Sequence, residues 1–296
     1  MRIPFELAET VAAVVAEGTL DAAARRLHVT PSAVSQRIKA LEEQLGQVLL
    51  VRSKPVRPTA AGEAVVRLAR QAALLEHDAL AELGVEAEHD ATVSVPLAVN
   101  ADSLGTWFLE PLARLAATHP VVFDLHRDDQ DFTAALLESG TVMGAVTSRA
   151  TPVAGCRVQP LGGMRYRPVA TPAYVQRWLA DGSDALAAAP RVDYDRRDDL
   201  QAQWLVAHGI DAAAMPRHYV PASNDFAIAV KLGLGWGMLP GFQCDAELAD
   251  GRLVELAGDP IDVALHWQQW NLRSPLLDAI ADEIVTSARR VLVPAG

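Results

Sequence analysis

Residues 20–46 read LDAAARRLHVTPSAVSQRIKALEEQLG, and no other stretch of the chain narrows the possible folds as far. Two helical patterns are separated by a break at His28-Val29-Thr30. The first, over 21–27, is built from good helix formers, with Asp21 as its expected N-cap. Thr30 is the expected cap of the second, and Pro31 follows at the first helical position, where a missing N–H costs nothing. Val34, Ile38, Leu41 and Leu45 recur at spacings of three and four and predict a buried stripe. Ser32, Ser35, Gln36 and Lys39 fall on the opposite face, and Arg37 lies among them. Hydroxyl, amide and cationic groups of this kind read base edges and hold phosphates. Gly46 ends the helix. The spacing fits a helix-turn-helix with its recognition helix second, although spacing alone also fits an ordinary αα-hairpin with a solvated outer face.

The flanking sequence favours nucleic acid. Ala22, Ala23 and Ala24 are small enough to let two helices cross closely. Val48-Leu49-Leu50-Val51 is a short apolar strand candidate, and Arg52, Lys54 and Arg57 follow it with Pro55 and Pro58 interleaved. That composition suits a basic wing lying along the phosphate backbone. The expected DNA-binding set is therefore Thr30, Ser32, Ser35, Gln36, Arg37, Lys39, Arg52, Lys54 and Arg57. A helix over 4–17 is expected to pack beneath the motif through Phe5, Leu7, Val11, Val14 and Val15.

A net charge of −11 looks wrong for such a chain until it is divided. Residues 1–60 hold eight basic and six acidic residues, whereas the remainder holds 18 and 31. The charge that meets phosphate is local, and the acidic bulk lies elsewhere and aids solubility. The two cysteines, Cys156 and Cys244, are far apart in sequence, which argues against a disulfide scaffold or a zinc site and suits a reducing cytosol. The first residues carry Glu6 and Glu9 rather than an apolar signal core, and no stretch is long and apolar enough to span a bilayer, so a cytoplasmic location is expected. The eight histidines form no HxH or HxxxH pair. No triad, metal cluster, cofactor or enzymatic activity is expected.

Beyond the motif, a helix is predicted from Thr59 to about Leu83. Val65, Leu68, Ala72, Leu75 and Ala79 form a heptad-like seam along it, which calls for a partner helix. Such a dimerising helix would set two recognition helices about 34 Å apart on DNA. Glu86 to Asp90 reads as a hinge. From Thr92 strands and helices alternate. Strands are expected over 93–99, 121–125 and 142–146, with helices over 104–117 and 132–138, an order that implies a parallel sheet. Ligands on such sheets bind at the carboxyl ends of the strands, where three polar loops stand. These loops are 100–103, 128–130 and 147–148. A second α/β lobe is expected from strands near Val192, 218–220 and 236–239 and helices from Pro172, over 198–208 and over 224–232. A strand over 263–270 leads to a final helix over 275–291, which is expected to rejoin the first lobe. Two lobes joined by two crossing strands make a periplasmic-binding-protein-like clamp.

AAARRLHVTPSAVSQRIKALEEQLGQVLLVR followed by PTAAG resembles the N-terminal domain of the LysR-type transcriptional regulators. Leu50 stands where an aromatic residue is usual in that family. The resemblance implies a winged helix-turn-helix over 1–60, a dimerising linker helix over 61–89, and a two-lobed effector domain over 90–296. Within the last, 90–162 and 268–296 would form the first subdomain and 163–267 the second. VNADSLGTWF, RDDQD, MGAVTS, RRDDLQ, SNDF before GLGWGMLP, and LHWQQW resemble the ArgP/LysG branch of that family. That branch senses basic amino acids and controls amino-acid export.

The residues point the same way. Ser103 at a helix N-terminus would favour an α-carboxylate, Thr147 and Ser148 would add hydroxyl donors, and Asn100 and Asp102 are expected to bind the effector beside it. Ser103 also reads as a plain N-cap. Asp128, Asp129, Asp193, Asp195, Asp198 and Asp199 would offer carboxylates to an ammonium or guanidinium group, and Asn224 a hydrogen bond. Arg127, Arg196 and Arg197 compete for the same acids. The expected protein is a ligand-responsive regulator of double-stranded operator DNA that takes lysine or arginine between its lobes. It would act as a homodimer or homotetramer, with RNA polymerase as a further partner if it activates and no membrane contact. The alternatives are a regulator with a different metabolite, a solute-binding clamp that binds no DNA, and a ligand-independent DNA-architecture protein.

Overall fold

Apolar residues at helical spacing near the N-terminus and β-branched runs after residue 92 dictate an all-α head followed by an α/β body. The structure, a computed structural model, describes residues 2–84, 92–127, 133–180, 183–211 and 215–294. Asp128, Asp129, Gln130 and the expected hinge at 86–90 lie outside the described residues.

The head contains α1 (Phe5–Glu17), α2 (Leu20–Arg26), α3 (Pro31–Leu45), β1 (Leu50–Val51) and β2 (Arg57–Pro58), then the long α4 (Ala60–Glu82). The body follows as β3 (Val93–Val99), α5 (Ala101–Thr106), α6 (Leu109–Ala116), β4 (Val121–Arg127), α7 (Thr133–Glu138) and β5 (Gly144–Thr147). Next come β6 (Cys156–Ala170), α8 (Pro172–Trp178), β7 (Arg191–Asp193), α9 (Leu200–Ala207), β8 (Arg217–Tyr219) and α10 (Ser223–Lys231). The chain ends with β9 (Gly237–Pro240), α11 (Gly241–Ala249), β10 (Val254–Glu255), β11 (Ile261–Trp270) and α12 (Pro275–Val291).

Two compact units emerge. The first comprises Met1–Val99, Leu112–Gln159 and Trp267–Ile284; the second comprises Asn100–Pro111, Pro160–His266 and Val285–Gly296. The final helix is thus shared rather than belonging wholly to the first lobe.

In the first unit, Val34, Ile38 and Leu41 of α3 are buried with Val11 and Val14 of α1 and Ala23 and Ala24 of α2. Each fully buried aliphatic side chain of this kind contributes roughly 1.5–3 kcal/mol. Leu45, the fourth member of the predicted stripe, is only partly buried. Thr30 caps α3 as expected, its hydroxyl accepting the Ala33 N–H at 3.1 Å. The cap of α2 is Thr19 rather than Asp21: the Thr19 hydroxyl accepts the Ala22 N–H at 3.2 Å. Gly18, at φ 70°, ends α1 and leaves Thr19 extended, the conformation a cap requires. The wing pairs antiparallel, Leu50 opposite Pro58 and Val51 opposite Arg57. Gly62 lies where α4 crosses the wing: a Cβ there would meet the Leu49 carbonyl oxygen at 2.0 Å, so only glycine permits the approach.

The two sides of α4 differ. Val65, Val66 and Ala69 belong to the head core, which takes Val65 out of the predicted seam. Farther along, Arg67 donates to the Glu138 carbonyl at 2.9 Å and its guanidinium lies over the Trp270 ring. Arg70 donates to the Gly140 carbonyl at 2.8 Å, and buried Asp78 accepts the Leu276 N–H at 3.4 Å. The opposite side leaves Leu68, Leu75, Leu80 and Leu83 exposed. In the same unit β3 pairs parallel with β4 and with β5, as the β-α-β-α-β order requires.

The single helix expected over 104–117 is two helices, α5 and α6. A continuous helix would set the Pro111 ring against the carbonyl four residues earlier. The chain instead turns at Trp107 and Phe108, both buried and packed edge to face at 5.6 Å, so that Pro111 falls in the first turn of α6. Helix α5 starts at Ala101, which places Asp102 and Ser103 inside its first turn rather than in a loop. The second unit holds β6 with β9 and β10 antiparallel to it, and β7 parallel to β8. Val169, Val192, Phe226, Val230, Leu239 and Cys244 form its core. Helix α11 was not anticipated from the sequence.

Candidate nucleic-acid interface and effector-binding residues

Burying Val34, Ile38 and Leu41 forces the other side of α3 outward. Ser32, Gln36 and Lys39 are exposed, and Ser35 is half-buried. Lys39 stands 3.6 Å from Glu43, one turn along, a solvated pair that holds it only weakly. Arg37 points elsewhere: it is ion-paired with Glu6 of α1 and lies 3.5 Å from the Thr10 hydroxyl. Its charge is partly used in tying α3 to α1. Arg52, Lys54 and Arg57 are exposed along the wing. Arg25 and Arg26 at the end of α2 are exposed as well, and the sequence reading passed over them; Arg26 is 3.4 Å from Glu17. His28 adopts a left-handed backbone, φ 53°, at the break between the two helices.

The candidate effector residues separate by what already occupies them. In the first unit, Thr147 at the carboxyl end of β5 is fully buried, and its hydroxyl accepts the Arg149 N–H at 3.2 Å. Ser148 beside it is half-buried. In the second unit, Asp193 is buried against Arg191 at 2.9 Å, with Arg217 at 4.0 Å. Burial pushes its carboxyl up from the usual range and the two arginines oppose that. Its charge is therefore already answered inside the protein. Asp195 accepts the backbone N–H groups of Arg197 and Asp198 at 2.7 and 3.1 Å and pairs with the Arg197 side chain at 3.5 Å. Burial works upward on Asp195, but these donors outweigh it and hold its carboxyl below the usual range.

Asp198 and Asp102 differ from both. Asp198 accepts backbone N–H groups from Tyr194 at 2.8 Å and Leu200 at 3.1 Å. Burial pushes its carboxyl up to about 6; the two N–H donors pull down, and the charges of Asp193 and Asp102 add to the rise. Asp102 accepts a hydrogen bond from the Tyr166 hydroxyl at 2.6 Å. Among the described residues, no lysine, arginine or histidine lies in ion-pair distance of either carboxylate. Nearby, α5 meets the start of α10 so closely that a Cβ on Gly105 would touch the Ser223 hydroxyl at 3.3 Å and Asn224 Oδ1 at 3.5 Å. Asn224 is exposed, and Gln243 of α11 donates to it and to Ser223. Asn100 and Ser103 are buried, and Asn100 Oδ1 and Ser103 Oγ have no hydrogen-bond partner among the described residues. The second unit thus gathers Asp102, Ser103, Asp198 and Asn224, whereas Asp193 and Asp195 are committed to arginines. Tyr166 and Gln243 carried no sequence signal.

Burial pushes the Cys156 thiol up to about 11 and the Cys244 thiol up to about 12, so neither is poised as a nucleophile. No group of three metal-ligating side chains occurs among the described residues. No helix among them is long and apolar enough to cross a membrane.

The model for bacterial regulatory helix-turn-helix proteins of the lysR family matches residues 5–63, and that for the LysR substrate binding domain matches residues 91–289. The HTH-type transcriptional regulator LysG of Mycobacterium tuberculosis is 49% identical over 280 residues, covering 94% of this chain and 91% of that protein. The lysine export transcriptional regulatory protein LysG of Corynebacterium efficiens is 41% identical over 283 residues, covering 95% and 96%. The solved structure of full-length LysG from Corynebacterium glutamicum with bound effector Arg matches with a TM-score of 0.77 at 36% identity, covering 99% of this chain and 100% of that one.

Proposed function

The chain belongs to the lysR family of bacterial helix-turn-helix regulators, and from that premise we propose that it is a transcriptional switch set by a basic amino acid, lysine or arginine, and acting on an amino-acid export gene. The outward face of α3, with Ser32, Ser35, Gln36 and Lys39, reads the operator. Arg52, Lys54 and Arg57 of the wing hold its backbone. Thr30 fixes the start of the recognition helix, and Arg37 braces it against α1. The exposed leucines of α4 are covered by a second copy of the chain, giving a homodimer that itself can double to a tetramer. Where the regulator activates, RNA polymerase is the further partner. The ligand leaves unaltered; its binding shifts the population of conformers that differ in their hold on DNA.

The observation that carries the effector class is the pair of carboxylates Asp102 and Asp198. Both lie in the second unit, they are coupled by charge, and no cation answers either among the described residues. A half-buried negative charge without a countercharge is costly, and a cationic ligand relieves that cost. Names of relatives support the same reading, since one is a lysine export regulator and another has been solved with arginine bound. Ser103, Asn100 and Asn224 supply uncharged hydrogen-bonding groups for the α-carboxylate and α-amino ends, and Thr147 and Ser148 are further candidates. Calorimetry of the whole protein against lysine, arginine, histidine and leucine tests the proposal. Saturable heat with lysine or arginine and none with leucine is expected. Equal response to leucine, or silence with all four, would remove the basic-amino-acid assignment.

A further inference from the structure

The carboxylates of the second unit named here are partnered in two ways. Asp193 has Arg191 at 2.9 Å, Asp195 has Arg197 at 3.5 Å and Asp262 has Arg165 at 2.7 Å. In each the countercharge is built in. Asp102 instead has a phenol. Tyr166, 3% exposed on β6, donates its hydroxyl to Asp102 Oδ2 at 2.6 Å. The two kinds of partner have different consequences. A guanidinium stabilises a carboxylate by cancelling its charge. A neutral O–H donor fixes the carboxylate's orientation and favours its ionised form while leaving the full negative charge in place. That charge acts on Asp198, which is held by two backbone N–H groups and likewise has no cation in reach among the described residues. Asp193 also acts on Asp198 by charge but is itself balanced by Arg191 and Arg217. A fold that needed only stability at Asp102 would gain more from an arginine or from an apolar pair.

We infer that Tyr166 is a positioning residue for effector recognition: it holds the Asp102 carboxylate in one orientation with its charge uncancelled, so that a cationic amino acid supplies the countercharge. The inference rests on the basic-amino-acid reading above. Tyr166 itself need not touch the ligand. Its buried ring pins one end of the hydrogen bond, and the short helix α5 carries the other.

The test uses Tyr166→Phe in the full chain, which keeps the ring and removes only the hydroxyl. Tyr174→Phe is the control, because Tyr174 is equally buried and its hydroxyl donates to the Pro190 carbonyl at 2.8 Å, away from Asp102. Calorimetric affinity for lysine and arginine is measured at fixed pH. Tyr166→Phe is expected to weaken both about tenfold, the scale of a hydrogen bond to a charged group. Tyr174→Phe should leave both affinities unchanged. Asp102→Asn should weaken binding at least as much, and adding Tyr166→Phe to it should cost nothing further. Wild-type affinity in Tyr166→Phe would overturn the inference while leaving the effector class intact. So would wild-type affinity in Asp102→Asn, which needs no folded Tyr166 variant. A wild-type protein that binds neither amino acid overturns both readings.

Discussion

The recognition helix and the polar part of the second unit use their side chains in opposite ways. In α3, structure and function occupy separate faces. Val34, Ile38 and Leu41 hold the helix, while Ser32, Gln36 and Lys39, on the face proposed to meet DNA, stand in solvent. In the second unit the same kinds of polar group are buried or half-buried, and each is defined by its neighbour. Asp193 is spent on Arg191, Asp195 on Arg197, and Asp102 accepts the Tyr166 hydroxyl. Where the faces are separate, a residue's type and spacing reveal its role. Where they are merged, only the partner does.

That contrast can be broken experimentally. The largest effect is expected from Leu41→Ala: a cavity in the head core should cost about 2–5 kcal/mol, and melting should fall together with all DNA binding. Next is Asp102→Asn, expected to cost about 2 kcal/mol of lysine or arginine affinity, roughly thirtyfold, with operator affinity in the absence of ligand unchanged. Ser35→Ala or Gln36→Ala should remove about 1–3 kcal/mol from operator binding, leave random-sequence binding nearly intact and leave melting unmoved. Lys39→Ala and Arg52→Ala should be milder still, weakening specific and random DNA alike and each lowering the salt slope by about one. Equal losses on both DNAs from all four substitutions would show that α3 does not divide its labour as described.

The smallest effect is in pH. Burial raises the Asp198 carboxyl to about 6 in the folded chain, above its unfolded value, so the folded state binds that proton more tightly. Its contribution is therefore most favourable in acid and is lost as pH rises through about 6. The stability difference between wild type and Asp198→Asn should accordingly move against wild type between pH 5 and 7. A difference that is flat, or that rises with pH, would contradict the buried, cation-free environment assigned to Asp198.

The head was legible almost to the residue because local rules decide it. A proline after Thr30, apolar spacing of three and four, and a basic run after a short strand each have one economical reading. The exchange of Thr19 for Asp21 as cap shows the limit: both residues cap well, and Gly18 in its left-handed conformation chose between them. The break between α5 and α6 was written in Pro111, whose ring cannot follow a helical carbonyl. Tyr166 could not have been found, since it is 64 residues from Asp102 and only the packing of β6 against α5 unites them. For the same reason the aspartates over 193–198 looked alike in sequence, yet their arginine partners and backbone donors set them apart.

The most direct measurement is the affinity of the full-length protein for an operator selected from genomic fragments, titrated with lysine, arginine and leucine at fixed salt. The account predicts that lysine or arginine changes operator affinity or the footprint, that leucine does not, and that random DNA is indifferent to all three. An operator complex that ignores both basic amino acids, or that answers leucine equally, would contradict it.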